Sequence, residues 1–390
     1  MSSAAPTTEA IVIGAGIAGA STAFHLAELG VRTTLLEREH PASGPSGNST
    51  ACCHAFYLMP ELSQLAARGT NILKQIPELT GEGINFQEIG LLWAVDPDSA
   101  TLFGDAVDRV REEGTPIEAL PPGEFEKLAP DYNWDGVALA VWEPSAGYID
   151  PYSATSALAR GASNRGVELR TNTRVRKIVA EGGRIAGVET EDGVRLAADI
   201  VISVAGVWTK PLIAQLGVEL PLTIERATVA VLDAPGAARE FMPFDWADNM
   251  FMNYGRPEGE GAIYLGSWPG GGTGERNLET ERGVLISDPE GYSQTASDDE
   301  SVEILDTFLT RMPKLAELGV KPGHACVYDM SPDDLPIIDR VPGVEGLFVV
   351  CGSSGHGFKL GPGVGEAVAG FVTTGEPGLL APFALDRPSL

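Results

Sequence analysis

The first apolar run of the chain, Ala-Ile-Val-Ile at 10–13, is short, unbroken and stopped by Gly14. Such a run, bounded by glycine, reads as a strand buried on both faces of a parallel sheet. Gly14, Gly16 and Gly19 follow, and a small-residue helix then runs to about Leu29, where Gly30 stops it. A second strand is expected over 33–37. Asp150-Pro151 offers an N-cap followed by proline in the first turn, which predicts a helix to about Arg160. Short strands are expected near 167–170, 175–179 and 185–190, and 198–205 reads as a buried return strand ending in small residues. Near the C-terminus, 336–338 and 347–350 read as strands. The second of these breaks into the turn Gly352-Ser-Ser-Gly355-His356-Gly357-Phe358-Lys359, with a helix expected from about Gly363.

Two stretches have another pattern. Residues 89–149 and 217–324 alternate apolar and polar positions, as at 228–232 and 262–265. They contain an acidic helix candidate near 299–311 and hold five of the six tryptophans. The expected fold is therefore α/β. It comprises a discontinuous Rossmann-like nucleotide domain (1–88, 150–216 and 325–390) and a second, sheet-rich α+β domain (89–149 and 217–324) that covers the ligand.

The strand–glycine turn–helix–strand order makes Gly14-Ala-Gly16-Ile17-Ala18-Gly19 a dinucleotide fingerprint. Gly14 permits the tight turn, Gly16 lets backbone approach a pyrophosphate, and Gly19 permits close helix–strand packing. Glu37, at the end of the second strand, can accept hydrogen bonds from ribose hydroxyls. The turn at 352–359 feeds a helix and so offers free N–H groups and a positive dipole end to an anion. Two such turns at opposite ends of one chain point to a cofactor gripped from both termini, with FAD as the best fit.

Composition narrows the partners. A formal charge of −27 and a pI near 4.5 disfavour nucleic acid and anionic lipid. No apolar run approaches the ~20 residues of a membrane span. The polar start at 1–9 lacks a secretory pattern. Four cysteines, two of them adjacent at 52 and 53, do not make a disulfide framework and suit a reducing cytoplasm. No metal is expected.

Taken together, 9–38, 174–208 and 326–365 resemble the amine-oxidising flavoenzymes that include D-amino-acid oxidase, glycine oxidase and, most closely, monomeric sarcosine oxidase. The resemblance is weak in both insertions. It implies cofactor contacts from Gly14, Gly16, Ile17, Ala18, Gly19, Glu37 and Arg38, and from Ser46, Asn48, Ser49 and Thr50. It implies further contacts from Val175, Ala205, Gly206 and Trp208, and from Gly352, Gly355, His356, Gly357, Phe358 and Lys359. Cys326 falls where the sarcosine oxidases attach flavin through a thioether, although free cysteine is also commonly buried for packing alone. Lys359 falls on the cation that binds the substrate carboxylate. Tyr254 and Tyr328 fall on pocket phenols, and either could equally be a core tyrosine. His54 lies near the expected flavin face, where it could bind substrate or pack. His356 falls on a residue whose role looks structural.

The implied activity is oxidation of the C–N bond of a small amine or amino acid (N-methyl, cyclic or D-) by hydride transfer to flavin N5, then hydrolysis of the imine. The acceptor would be O2 or another oxidant. The chain departs from the family in three places. Residues 51–65 lack the arginine that shares the carboxylate, for which Arg256 could substitute. The oxygen-activating lysine falls on Tyr264, and a nearby histidine falls on Trp268. The first departure argues against sarcosine itself, and the second favours a rival dehydrogenase that feeds a quinone or carrier protein. A non-catalytic flavin-bearing assembly protein is a further alternative.

Overall fold

The computed structural model describes residues 9–268 and 284–390. The polar start at 1–8 and the part of the second insertion at 269–283 lie outside the described residues. Six strands form one sheet in the order Ile337–Arg340, Leu347–Cys351, Ile200–Ser203, Ala10–Ile13, Thr33–Leu36, Glu168–Arg170. All neighbouring pairs in it are parallel except Ile337–Arg340 with Leu347–Cys351. Every residue of Ala10–Ile13, Thr33–Leu36 and Leu347–Cys351 is buried, as unbroken apolar runs require when both faces of a sheet are covered. The two faces separate with period two. Ala10 and Val12 enter a core with the helices Ile17–Glu28, Pro60–Lys74, Pro151–Asn164 and Gly357–Thr374. Ile11 and Ile13 enter another with Ile178, Ile185 and Val188 of an antiparallel three-stranded sheet.

The helix at Pro151 begins as its sequence dictates, with the Asp150 carboxylate accepting the Ser153 N–H at 2.7 Å, and it continues to Asn164. The last helix differs from expectation. It starts at Gly357, not near Gly363. Three glycines and Pro362 in the run 357–363 disfavour a helix locally, but tertiary packing overrides that preference. A Cβ on Gly361 would lie 2.6 Å from Ile17 Cγ2, and one on Gly365 would lie 2.5 Å from Ser21 Cβ. Only glycine lets these two helices come this close. The Ser21 hydroxyl then donates to the Pro362 carbonyl at 2.8 Å.

Strands from both insertions share a nine-stranded sheet. Its order is Val284–Leu285, Thr223–Asp233, Ala262–Ser267, Asn253–Glu258, Asp245–Asp248, Leu91–Val95, Leu139–Glu143, Glu118–Leu120, with Gly319–Met330 also paired to Thr223–Asp233. The strand carrying Cys326 and Tyr328 thus belongs to this sheet, and the expected boundary at 325 falls inside it. On one face Leu92, Ala94, Ala230, Leu232, Trp246, Ile263 and Leu265 pack with Ile304, Leu305 and Phe308 of the helix Asp298–Leu309. That helix is fixed at its start by a capping box between Ser297 and Glu300. By register, Trp93, Glu143, Asp245, Tyr254, Arg256, Cys326 and Tyr328 share the other face. This inner face looks toward the segment 50–57.

Glu143 holds that segment in place. Its carboxylate is buried and accepts the N–H groups of Ala55 (2.8 and 3.1 Å) and Phe56 (3.1 Å). Burial pushes the carboxyl up to about 7 while these N–H bonds pull it down. Replacing it by Gln would turn an amide donor toward backbone donors. Glu143→Gln is expected to lower stability by about 1–3 kcal/mol, read as a drop in the urea midpoint at unchanged slope.

Candidate functional site

The carboxyl ends of the parallel strands open into a cleft, as the doubly wound topology requires. The cavity there measures about 530 Å³. It is lined by Gly14, Gly16, Ile17, Ala18, Gly19, Glu37, Arg38, Ser46, Ser49, Val175, Ala205, Gly206, Trp208, Tyr328, Gly355, Gly357 and Phe358. Two helices point their N-termini into it. Neither Ile17–Glu28 (N-cap Gly16) nor Gly357–Thr374 (N-cap His356) has a side-chain cap on its N-cap residue or an acidic residue in its first turn. Their dipoles, and the first-turn N–H groups other than that of Ile17, favour an anion in the cleft. The glycine turn is tight enough that a Cβ on Gly19 would sit 1.9 Å from the Gly14 carbonyl oxygen.

Glu37 ties the second strand to this turn. Its carboxylate accepts the N–H of Ala15 at 2.8 Å and of Glu39 at 3.0 Å. Ser46 Oγ accepts the Ile17 N–H at 3.0 Å. The Arg38 guanidinium lies 3.9 Å over the Trp208 ring, whose buried indole N–H has no partner among the described residues. Two anion-seeking helix ends, a carboxylate at the second strand and an orphaned indole donor fit a dinucleotide that carries a ribose and a pyrophosphate. These residues fit FAD.

The C-terminal turn is held from the other sheet. Asp329, on the strand Gly319–Met330, accepts the Gly352 N–H at 2.7 Å and the Ser353 N–H at 3.3 Å, and its carbonyl accepts the Ser354 N–H at 3.0 Å. Burial raises the Asp329 carboxyl to about 6. Tyr328 packs its ring on the same turn, 3.3 Å from where a Gly355 Cβ would stand.

Beyond the turn a row of rings begins at Lys359. Lys359, in the first turn of the last helix, is half-buried, and among the described residues its ammonium makes no hydrogen bond or ion pair. Burial lowers its pKa from the usual lysine value. Its Nζ stands 5.9 Å from the Tyr57 ring centroid. From there rings follow one another: Tyr57 to His54 (5.3 Å), His54 to Trp93 (5.9 Å), Trp93 to Trp268 (6.0 Å), and Trp268 stacked on Tyr254 (5.8 Å). The Tyr254 hydroxyl lies beside that of Tyr328. Burial raises Tyr254 to about 12, and it raises Tyr328 as well.

The row thus runs from Lys359 to Tyr254, with Tyr328 beside Tyr254. His54 is buried against Tyr57 and Trp93, with Nδ1 3.1 Å from the Phe56 carbonyl, and burial lowers its pKa well below the imidazole value. His356 faces Tyr57, whose hydroxyl is 3.0 Å from Nδ1. Burial and the Lys359 charge hold it down at about 3, so it is neutral. Cys326 is 3 % exposed, and burial raises its thiol to about 12. Thr50 contributes its carbonyl to Arg256. Asn48 lies on the outer side, where its carbonyl oxygen is 3.1 Å from His324 Nε2.

Arg256, the candidate substitute for the missing carboxylate-binding arginine, has its guanidinium turned to other partners. It is 1 % exposed and is committed to the Thr50 carbonyl, the Pro257 carbonyl at 2.9 Å and Glu258 at 2.5 Å. It also stacks on Tyr148 at 4.0 Å. Tyr57, Trp93 and Asp245 are the residues that sequence reading missed. For Trp93 and Asp245 the one signal was alternation, since 93 and 245 fall on the same face as Tyr254, and Tyr57 carried none.

The FAD dependent oxidoreductase family, DAO, matches residues 9–370, and the chain belongs to it. Its cofactor is FAD. Among its relatives, N-methyl-L-tryptophan oxidase of Yersinia pestis (strain Pestoides F) is 29% identical over 370 residues, covering 93% of this chain and 94% of its own. The 4-methylaminobutanoate oxidase (formaldehyde-forming) of Paenarthrobacter nicotinovorans is 29% identical over 378 residues. That match covers 94% of this chain but 44% of the relative, so the chain spans less than half of it. L-proline dehydrogenase from P. horikoshii superposes with a TM-score of 0.85 at 24% identity, over 98% of this chain and 97% of that one. This last likeness shows the fold alone.

Trp208→Phe keeps the stacking surface for Arg38 and removes the indole donor. FAD should bind about 5–10-fold more weakly, the size of one net hydrogen bond, in a fluorescence titration of the cofactor-free protein. An unchanged affinity would show that the orphaned N–H does not serve the cofactor.

Proposed function

We propose that this protein oxidises the C–N bond of a small carboxylate-bearing amine or amino acid (N-methyl, cyclic or D-) to an imine, which water then hydrolyses. The observation that carries this reading is the Lys359 ammonium, unpaired among the described residues and half-buried beside the Tyr57 ring at the start of the helix that points into the FAD cleft. An unpartnered charge in such a place is costly, and a substrate carboxylate relieves that cost. FAD, when bound, supplies a two-electron acceptor for hydride.

The chain's own residues supply orientation and field. Lys359 anchors the carboxylate and so fixes which C–H faces the cofactor. Tyr254 and Tyr328 stay protonated and present hydroxyls to the bound amine. The N–H groups of Gly355 to Phe358, with the helix dipole behind them, favour negative charge on the cofactor side. Segments 1–88, 150–216 and 325–390 serve the cofactor, and 89–149 and 217–324 serve the substrate, with Cys326 and Tyr328 reaching in from the large sheet. Cys326 is the candidate for covalent attachment. The four free cysteines suit a reducing cytoplasm. The electron acceptor is O2, as the names of the two oxidase relatives suggest.

Tyr264 favours a second reading, a dehydrogenase that hands electrons to a quinone or carrier, because no lysine stands at that position. Air reoxidation of substrate-reduced flavin in stopped flow separates the two.

Lys359→Met should raise the apparent substrate constant ten- to a thousandfold, taking about 1.4 kcal/mol per tenfold. A constant that does not move removes the anchor. If Cys326 is the attachment point, acid precipitation of the parent protein leaves a yellow pellet, whereas Cys326→Ala releases FAD to the supernatant. A variant pellet that stays yellow excludes this thiol.

A further inference from the structure

Among the described residues, one buried carboxyl on the inner face of the large sheet, that of Asp245, makes no hydrogen bond or ion pair. Asp245 opens the strand Asp245–Asp248, paired with Leu91 on one side and, by register, beside Arg256 on the other. It is 1 % exposed, its Oδ1 is buried without a hydrogen-bond partner, and among the described residues its side chain forms no ion pair. Arg256 does not neutralise it by contact, because that guanidinium is turned to Thr50, Pro257 and Glu258. Buried carboxylates are normally hydrogen-bonded or paired. The other two acids around this site obey that rule: Glu143 accepts three backbone contacts and Asp329 accepts two. Asp245 accepts none, and it shares the sheet face with Tyr254, two strand positions along from the neighbouring Ala247.

We propose that Asp245 is the anionic pole of the substrate site on this sheet face. It accepts a hydrogen bond from the substrate's ammonium and takes its proton, so the preferred substrate is a compact zwitterion with its carboxylate on Lys359. This proposal rests on the oxidation reading above. In the step, one ammonium N–H bond breaks and one carboxyl O–H bond forms. The electron pair stays on nitrogen, where it is free to form the C=N bond as hydride leaves the adjacent carbon. A charged ammonium has no such pair, so the proton must leave first.

The groups that act on Asp245 are Arg256 on the next strand, Lys359 on the last helix, Arg239 before the strand, and Cys52 on the facing segment. Burial dominates and raises the carboxyl to about 7, while the three cations lower it. The sign follows. Below about 7 Asp245 is protonated and cannot accept. Above it the base form is present, until Lys359 loses its own proton at higher pH.

The test uses the full-length, FAD-loaded protein. Acetate, a carboxylate with no amine, is titrated against the flavin absorbance at pH 6 and pH 8. Placing an anion beside Lys359 opposes ionised Asp245, so acetate should bind about tenfold more weakly at pH 8 and take up a proton on binding. In Asp245→Asn the pH dependence should vanish and acetate should bind at least tenfold tighter at pH 8 than in the parent. With an N-methyl amino acid that reduces the flavin, the variant's anaerobic reduction at pH 7 should slow at least a hundredfold and recover toward pH 10, where the free amine predominates. Removing an unpaired buried charge should leave the melting temperature unchanged or raised, and the parent's acetate pH dependence stands as a readout without the variant.

A flat acetate response in the parent, or a variant that keeps the parent's pH slope or reduction rate within threefold, overturns the role of Asp245. If those binding contrasts hold while no amine reduces the flavin, the oxidation reading fails and the charge assignment survives.

Discussion

The fold depends on one close contact between its first and last helices. Ile17–Glu28 and Gly357–Thr374 meet with glycine at 361 and 365 against Ile17 and Ser21, closer than any side chain would allow. Gly363 does the same toward the helix Pro60–Lys74, where a Cβ would stand 2.3 Å from the Leu65 carbonyl oxygen. The helices therefore pack almost backbone to backbone, and their N-terminal ends open on the same cleft. Each end alone would be a weak anion site. Converging, they define where a pyrophosphate-bearing cofactor lies and which way it runs.

That convergence would be idle without a link to the second sheet. Asp329 supplies it, with a carboxylate on the strand Gly319–Met330 that accepts N–H groups from the turn at 352–353. The strand thus delivers Tyr328 against Gly355. The period of the sheet then does the sorting. Residues of one parity enter the helix-packed core with Phe308, and those of the other parity face the cofactor side. The chemistry of the inner face is a consequence of pairing register, because a slip by one residue would exchange Tyr254 for Gly255.

This explains what could be read from the sequence and what could not. The strand 10–13 and its glycine turn were legible, because each is a local pattern with a local cause. The turn at 352–356 was legible for the same reason, and so was the Asp150 cap. The start of the last helix was not, since its glycines look like breakers until the partner helices are present to need them. Arg256 read as a stand-in for the missing carboxylate-binding arginine, and only the register that sets it beneath Thr50 and Tyr148 shows why it is committed elsewhere. Tyr57 and Trp93 carry no motif at all. They matter because segments distant in sequence stack their rings in one row from Lys359 to Tyr254.

The three buried acids of the site show how one residue type is put to different uses by its partners. All three carboxyls are raised by burial, to about 7, 7 and 6 for Glu143, Asp245 and Asp329. Glu143 and Asp329 are surrounded by backbone N–H donors that have no other acceptor, so each works as a fastener whose loss would strand those donors. Asp245 fastens nothing. In a chain that carries a formal charge of −27, an extra acid at the surface would be ordinary, but a buried one without a hydrogen bond either keeps its proton up to about pH 7 or meets a cationic group. Among the described residues neither Lys359 nor Asp245 makes a hydrogen bond or ion pair, and the zwitterion proposed above would satisfy both at once.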